Sequence, residues 1–196
     1  RRWLWHDVCN NVGAYQTSHA VLHAIVCVVV IYAVCTVLDA LRIHLLERPL
    51  LRHGRLILHA SAVLYHGRAI LFTAPSGGGK STQAEIWARS LHAQIINGDK
   101  VILQDDGTDL IAYGSPIAGS SGIYRDIRAP VAAIVQLEKG DENTVAPLTM
   151  RERYLLLYGE AVKSDWDPAF NKELLRRAAS YPQRTEYVRL RCVPDR

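Results

Sequence analysis

"LFTAPSGGGKSTQAEIW", residues 71–87, carries an apolar run into three consecutive glycines and then into a helical pattern that opens on Lys80 and Ser81. Glycine has no Cβ, so a glycine-rich backbone can wrap closely around an anion and aim successive N–H groups inward. A helix that begins directly afterwards leaves its first amides unpaired and adds their partial positive charge at the same point. The spacing predicts a strand, a phosphate-holding loop and a helix, with Ser76, Gly77, Gly78, Gly79, Lys80, Ser81 and Thr82 around the anion.

This is the composition of a P-loop, in which the lysine reaches the β- and γ-phosphates and the hydroxyl beside it binds magnesium. The strict motif has glycine where this chain has Ala74, so the tight turn there must accept a methyl group. A magnesium-bound nucleotide also calls for a carboxylate on a neighbouring strand, and Asp99 in "IINGDKVIL" stands at the end of an apolar run. Asp105, Asp106 and Asp109 read instead as a solvated turn.

Strand and helix patterns extend outward from the loop. "RLILHASAVLY" and "RAILFTA" read as strands joined at "HGR", where Gly67 supplies the turn, so a hairpin feeds the loop. "KSTQAEIWARSLH" is a helix; "AQIING", "KVILQ", "LIAYG" and "EYVRLRCV" are strands, and the apolar "VAAIVQLEK" is a central one. "GSPIAGSSG" suits a loop. Thr149 and Glu152 have capping-box spacing ahead of one helix, and Asp167 followed by Pro168 starts another.

The 196 residues, 49% of them apolar, suffice for one main domain, expected at 51–196, behind an apolar segment at 1–50. A formal charge of +4 spread along the chain does not concentrate as in a dedicated nucleic-acid binder, so no nucleic-acid partner is expected. Cys9, Cys27, Cys35 and Cys192 form no metal or redox spacing, which fits reduced thiols in a cytoplasm. The opening on Arg1 suggests a fragment or a trimmed gene model.

No Asp, Glu, Lys or Arg occurs between Asp7 and Asp39, and by length this stretch could cross a membrane. His23 interrupts it, the β-branched "IVCVVVI" suits a buried strand, and arginines flank both ends without an orientation signal. The favoured expectation is a strand followed by a helix in which Leu38, Leu41, Leu45 and Leu46 share a face and which Pro49 ends, with no membrane involved.

"APSGGGKST" alone is also similar to the loop of a transporter ATPase, but an LSGGQ-like signature and an apolar run ending in Asp-Glu are both missing. Read together, "LHASAVLYHGRAILFTAPSGGGKSTQAEIW" and "AQIINGDKVIL" resemble the HPr kinase/phosphorylase family and its relatives with the phosphoenolpyruvate-carboxykinase-like P-loop fold. "YGSPIAGSSGIYRD" and "LEKGDENTV" look more like the small HPr-kinase-like proteins beside ribosomal-peptide gene clusters, including lasso-peptide kinases. The resemblance covers roughly 55–145 and implies an α/β domain with a mixed sheet and flanking helices. It puts His59 at the family's histidine, and Lys80, Ser81 and Asp99 on its phosphate and metal positions. It departs at Gly98, where the family has the first of two adjacent aspartates, the one resembling a general base.

The activity implied is transfer of the γ-phosphoryl group of ATP, with magnesium, to a serine of a peptide or protein. His59 would orient the acceptor or move its proton, and Arg125 and Arg128 are further candidates for phosphate or acceptor contact. A small-metabolite kinase and a non-catalytic ATP-binding module are the alternatives, and homo-oligomerisation is left open.

Overall fold

In the computed structural model, residues 2–163 and 167–193 are described. The chain divides into two compact units, Arg1–His44 and Leu45–Arg196.

The first unit is helical. Helix α1, Arg2–Arg52, includes the stretch expected to be a strand and runs past Pro49, which was expected to end it. Valine and isoleucine owe their strand preference to packing on a pleated neighbour. Among the described residues, "IVCVVVI" has no strand beside it, and a helix satisfies its backbone groups internally. The expected apolar face is not buried either: Leu38, Leu41 and Leu45 are exposed. Leu51, near the helix end in the second unit, is in the core, and Gly54 with positive φ turns the chain out of the helix.

The second unit is a mixed α/β domain. Strands β1 (Arg55–His59), β5 (Lys100–Asp105) and β6 (Leu110–Gly114) pair antiparallel. Strand β7 (Arg128–Lys139) pairs antiparallel with β6 through its first residues and then runs parallel to β3 (Arg68–Thr73) and β9 (Glu186–Cys192). Strand β2 (Ser61–Tyr65) joins β3 to β4 (Gln94–Asn97), while the short β8 (Thr144–Pro147) borders β9. As its unbroken apolar pattern predicts, β7 is central. His66 and Gly67, both with positive φ, close the β2–β3 hairpin.

Helix α2 (Lys80–Leu91) packs Ala84 and Trp87 against Val63, Phe72 and Val135. Helix α3 (Met150–Glu160) starts with the predicted capping box of Thr149 and Glu152, and α4 (Pro168–Ala178) starts with the Asp167 cap. Leu156, Leu157, Phe170 and Leu174 from these two helices enter the larger core.

Two strand crossings meet beside the glycine loop. The chain passes from β1 to β2 through Ala60, and from β4 to β5 through Gly98 and Asp99, each time moving from one strand group to the other. The crossings are tied together by a bond from Ala60 N–H to the Asp99 carbonyl at 2.9 Å.

Candidate active site

Strand β3 delivers the chain at Thr73, and residues 74–79 turn back over its end before α2 begins. Gly77 and Gly79 have positive φ, the conformation for which glycine is suited. Gly78 is demanded by crowding: a Cβ there would lie 2.6 Å from that of Ala74 and 2.9 Å from the Pro75 carbonyl. This accounts for alanine at position 74. Ala74 has no positive φ, and its buried methyl group occupies the space that Gly78 leaves open. The cap residue Gly79 brings no side chain to the first turn of α2, so its leading amides face the loop without a side-chain partner.

Lys80, the first residue of α2, is buried and its Nζ donates to the Ala74 carbonyl at 2.8 Å. Burial pulls the ammonium below its ordinary pKa, opposed by the charges of Glu160 and Asp99. The Ser61 hydroxyl donates to the Lys80 carbonyl at 2.7 Å, tying the helix start to β2. Ser81 Oγ faces the Gly98 carbonyl at 3.4 Å, so the hydroxyl and Asp99 lie on the same side of the loop.

At the crossings, His59 Nε2 lies 3.1 Å from Asp99 Oδ1, and His59 Nδ1 lies 3.5 Å from Glu160 Oε2 at the end of α3. With a carboxylate on each ring nitrogen, the imidazole is held as a cation, its pKa pushed up to about 8 by the bonds to Asp99 and Glu160 against the effect of burial. Asp99 is held well below the usual carboxylate range by its bond to His59, with the Lys100 ammonium on its other oxygen. The buried Asn97 shapes this corner: its Oδ1 accepts from the N–H groups of Asp99 and Lys100, and its amide donates to the Ser115 carbonyl.

Every residue assigned to the phosphate, metal or catalytic positions borders one cleft of about 330 Å³, lined by residues 76–82 together with His59, Gly98 and Asp99. A second cavity of about 500 Å³ shares Gly77, Gly78, Gly79 and Thr82 with it and extends over Ile86, Leu137, Leu190 and Val193. Arg125 and Arg128 line neither cavity; Arg125 donates to the Ile95 carbonyl instead.

Three features escaped sequence reasoning. Glu160 reaches the site from a distant helix, and no spacing connects it to His59. Asn97 and Lys100 flank Asp99 and could have been suspected only from that proximity. Gly98 is glycine for a steric reason: a Cβ there would fall 1.9 Å from Ser121 Oγ, because the 3-10 turn at Gly119–Ser121 leans on the position.

A magnesium–nucleotide complex needs few protein ligands, since phosphate oxygens and water complete its octahedron. The Ser81 hydroxyl, held only by the 3.4 Å contact to the Gly98 carbonyl, fits that demand, whereas Asp99 has His59 on one oxygen and Lys100 on the other and would ligate by giving up one of them. Among the described residues no cluster of three or more His, Cys, Asp or Glu could hold a metal by itself.

No protein-family model matches this chain, and no curated protein matches it in sequence. Among solved structures, the Hpr(Ser) kinase/phosphatase from Coxiella burnetii is similar at 16% identity with a TM-score of 0.35, covering 63% of this chain and 87% of that one. The chemistry of the cleft therefore rests on its own geometry and on the sequence motifs.

Proposed function

We propose that the chain is an ATP-dependent kinase that transfers the γ-phosphoryl group to a serine hydroxyl of a peptide or protein. The observation that carries this reading is the convergence of the glycine loop, Lys80, Ser81, Asp99 and His59 on one cleft. The amides of residues 77–82 hold the β- and γ-phosphates. Lys80 exchanges the Ala74 carbonyl for a phosphate oxygen, a short movement that trades a neutral acceptor for a charged one. Ser81 and, on exchange of one of its cationic partners, Asp99 would hold magnesium, which when bound would neutralise phosphate charge. The second cavity, continuous with the loop and lined by Gln83, Glu138, Lys139 and Asn143 beside its apolar residues, takes the base and ribose.

The acceptor oxygen forms its bond to the γ-phosphorus as the bond to the bridging β–γ oxygen breaks, and ADP leaves with that oxygen. His59 is a cation below about pH 8 with its two ring nitrogens on Asp99 and Glu160, so near neutrality it is not a base. Its positive charge at the cleft wall favours the phosphoryl oxygens, and direct donation to one would take the exchange of a carboxylate partner. A loose transition state asks little of a base. The hydroxyl's proton leaves late, to the phosphoryl group itself, whose second pKa is about 6, and the missing carboxylate at Gly98 is not required. The serine acceptor is supported by the resemblance to HPr-kinase-like sequences.

The test is incubation of the chain and of Lys80→Ala with magnesium and γ-labelled ATP against serine- and threonine-bearing peptides, free serine and sugar acids. Label on a peptide that vanishes in the variant is the expected result. Label only on a small molecule would replace the acceptor class, and nucleotide binding without transfer to any acceptor would reduce the chain to a binding module.

A further inference from the structure

Along His19–Leu38, the helix of the first unit has a mean hydropathy of 2.7, and none of this stretch is buried. At 1.5 Å per residue, its 20 residues span about 30 Å, the thickness of a bilayer's hydrocarbon core. A helix lying on a protein or on a membrane surface is apolar on one face only. Here the consecutive residues Val28, Val29, Val30, Ile31 and Tyr32 are all more than half exposed, and at about 100° per residue they point in every direction around the axis. That leaves no polar face for water and no single seam for a second copy. The Thr36 hydroxyl, a polar group in the stretch, bonds back to the Ala33 carbonyl at 2.8 Å, so it needs no water, and His23 lies only four residues, about 6 Å, from the start of the stretch, close to the headgroup level.

We infer that His19–Leu38 spans a lipid bilayer and tethers the second unit to the membrane. Arginines flank both ends, and the direction follows only from their unequal numbers once the span is fixed at His19–Leu38. Within 18 residues of the stretch, the N-terminal side carries Arg1 and Arg2, at its far limit, and the C-terminal side carries Arg42, Arg48, Arg52 and Arg55. Excess arginine stays on the cytoplasmic side, so the glycine loop faces the cytoplasm. The stretch exceeds the 7–15 apolar residues of a cleavable signal's core. The tether is independent of the kinase reading, since it uses no residue of the cleft.

Expression of the full chain in a bacterium tests it, beside a variant carrying Val28→Arg and Val29→Arg at the centre of the stretch. The wild-type chain is expected in the membrane pellet, to resist alkaline carbonate, to float with lipid in a density gradient and to keep its full mass. The paired arginines are expected to lower the lipid-floating fraction at least about tenfold. Protease added to spheroplasts should spare the second unit until the cells are lysed. A wild-type chain that is soluble without detergent, as a monomer or an oligomer, overturns the inference. So does one that sediments free of lipid, or one shortened by cleavage after the helix. Digestion in intact spheroplasts overturns the orientation.

Discussion

The charge state of His59 makes the stability of the fold depend on pH. In the unfolded chain a histidine titrates near 6.5, and in the fold His59 titrates at about 8 because Asp99 and Glu160 hold its cation. Each unit of such a difference corresponds to about 1.4 kcal/mol, so the two carboxylates contribute up to about 2 kcal/mol. The side chain is 33% exposed, and solvent screening reduces this to about 1 kcal/mol. As the folded pKa is the higher one, the stabilisation is fully present below about pH 6.5 and is lost as the pH rises through about 8. Measuring wild type against His59→Gln cancels the groups that titrate elsewhere in the chain. Urea unfolding, followed by the fluorescence of the four tryptophans, of which Trp87 packs against Tyr65 and Phe72, gives the difference at each pH, both chains being kept in the same mild detergent. The wild-type advantage should shrink by about 1 kcal/mol between pH 6 and pH 9. Parallel curves across that range would refute the ion-paired imidazolium.

Other consequences are more local. Gly98→Ala drives a methyl group onto Ser121 and should cost about 1–3 kcal/mol, read as a lower Tm; adding Ser121→Gly should recover most of it, because the next contact, the Ala118 carbonyl, is at an ordinary 3.5 Å. Gly78→Ala collides with Ala74 and should weaken nucleotide binding by a factor of at least about ten, measured by calorimetric titration. Thr149→Ala removes the cap of α3 and should lower stability by about 1 kcal/mol in urea unfolding. Because Glu160 ends that same helix, the pKa of His59, followed by NMR, should fall toward its ordinary value in Glu160→Gln.

What the sequence made legible was local. The β2–β3 hairpin, the glycine loop and the α2 start are set by residues within a few positions of one another, and the capping box of α3 is a four-residue signal. The pairing of His59 with Asp99 was within reach only through a family resemblance, since it depends on two strand crossings meeting. Glu160 and Ser121 were out of reach because their roles arise from packing between elements far apart in sequence. Position 98 illustrates the gap: read as a string, it is a missing carboxylate, whereas in the fold it is a place where no side chain fits. The apolar N-terminal run failed for a different reason. Its β-branched content suggested a strand, but strand preference is a property of neighbours, and among the described residues the run has none.

Calorimetric titration of the full chain with ATP, ADP and AMP, in the presence of magnesium, decides whether the cleft takes the phosphates of a nucleotide. Saturable binding of ATP and ADP is expected, with AMP weaker by a factor of at least about one hundred and the difference lost in Lys80→Ala, since on the proposed reading the loop and Lys80 hold phosphates that AMP lacks. Equal binding of all three nucleotides, no saturable binding, or an unchanged preference in the variant would contradict it.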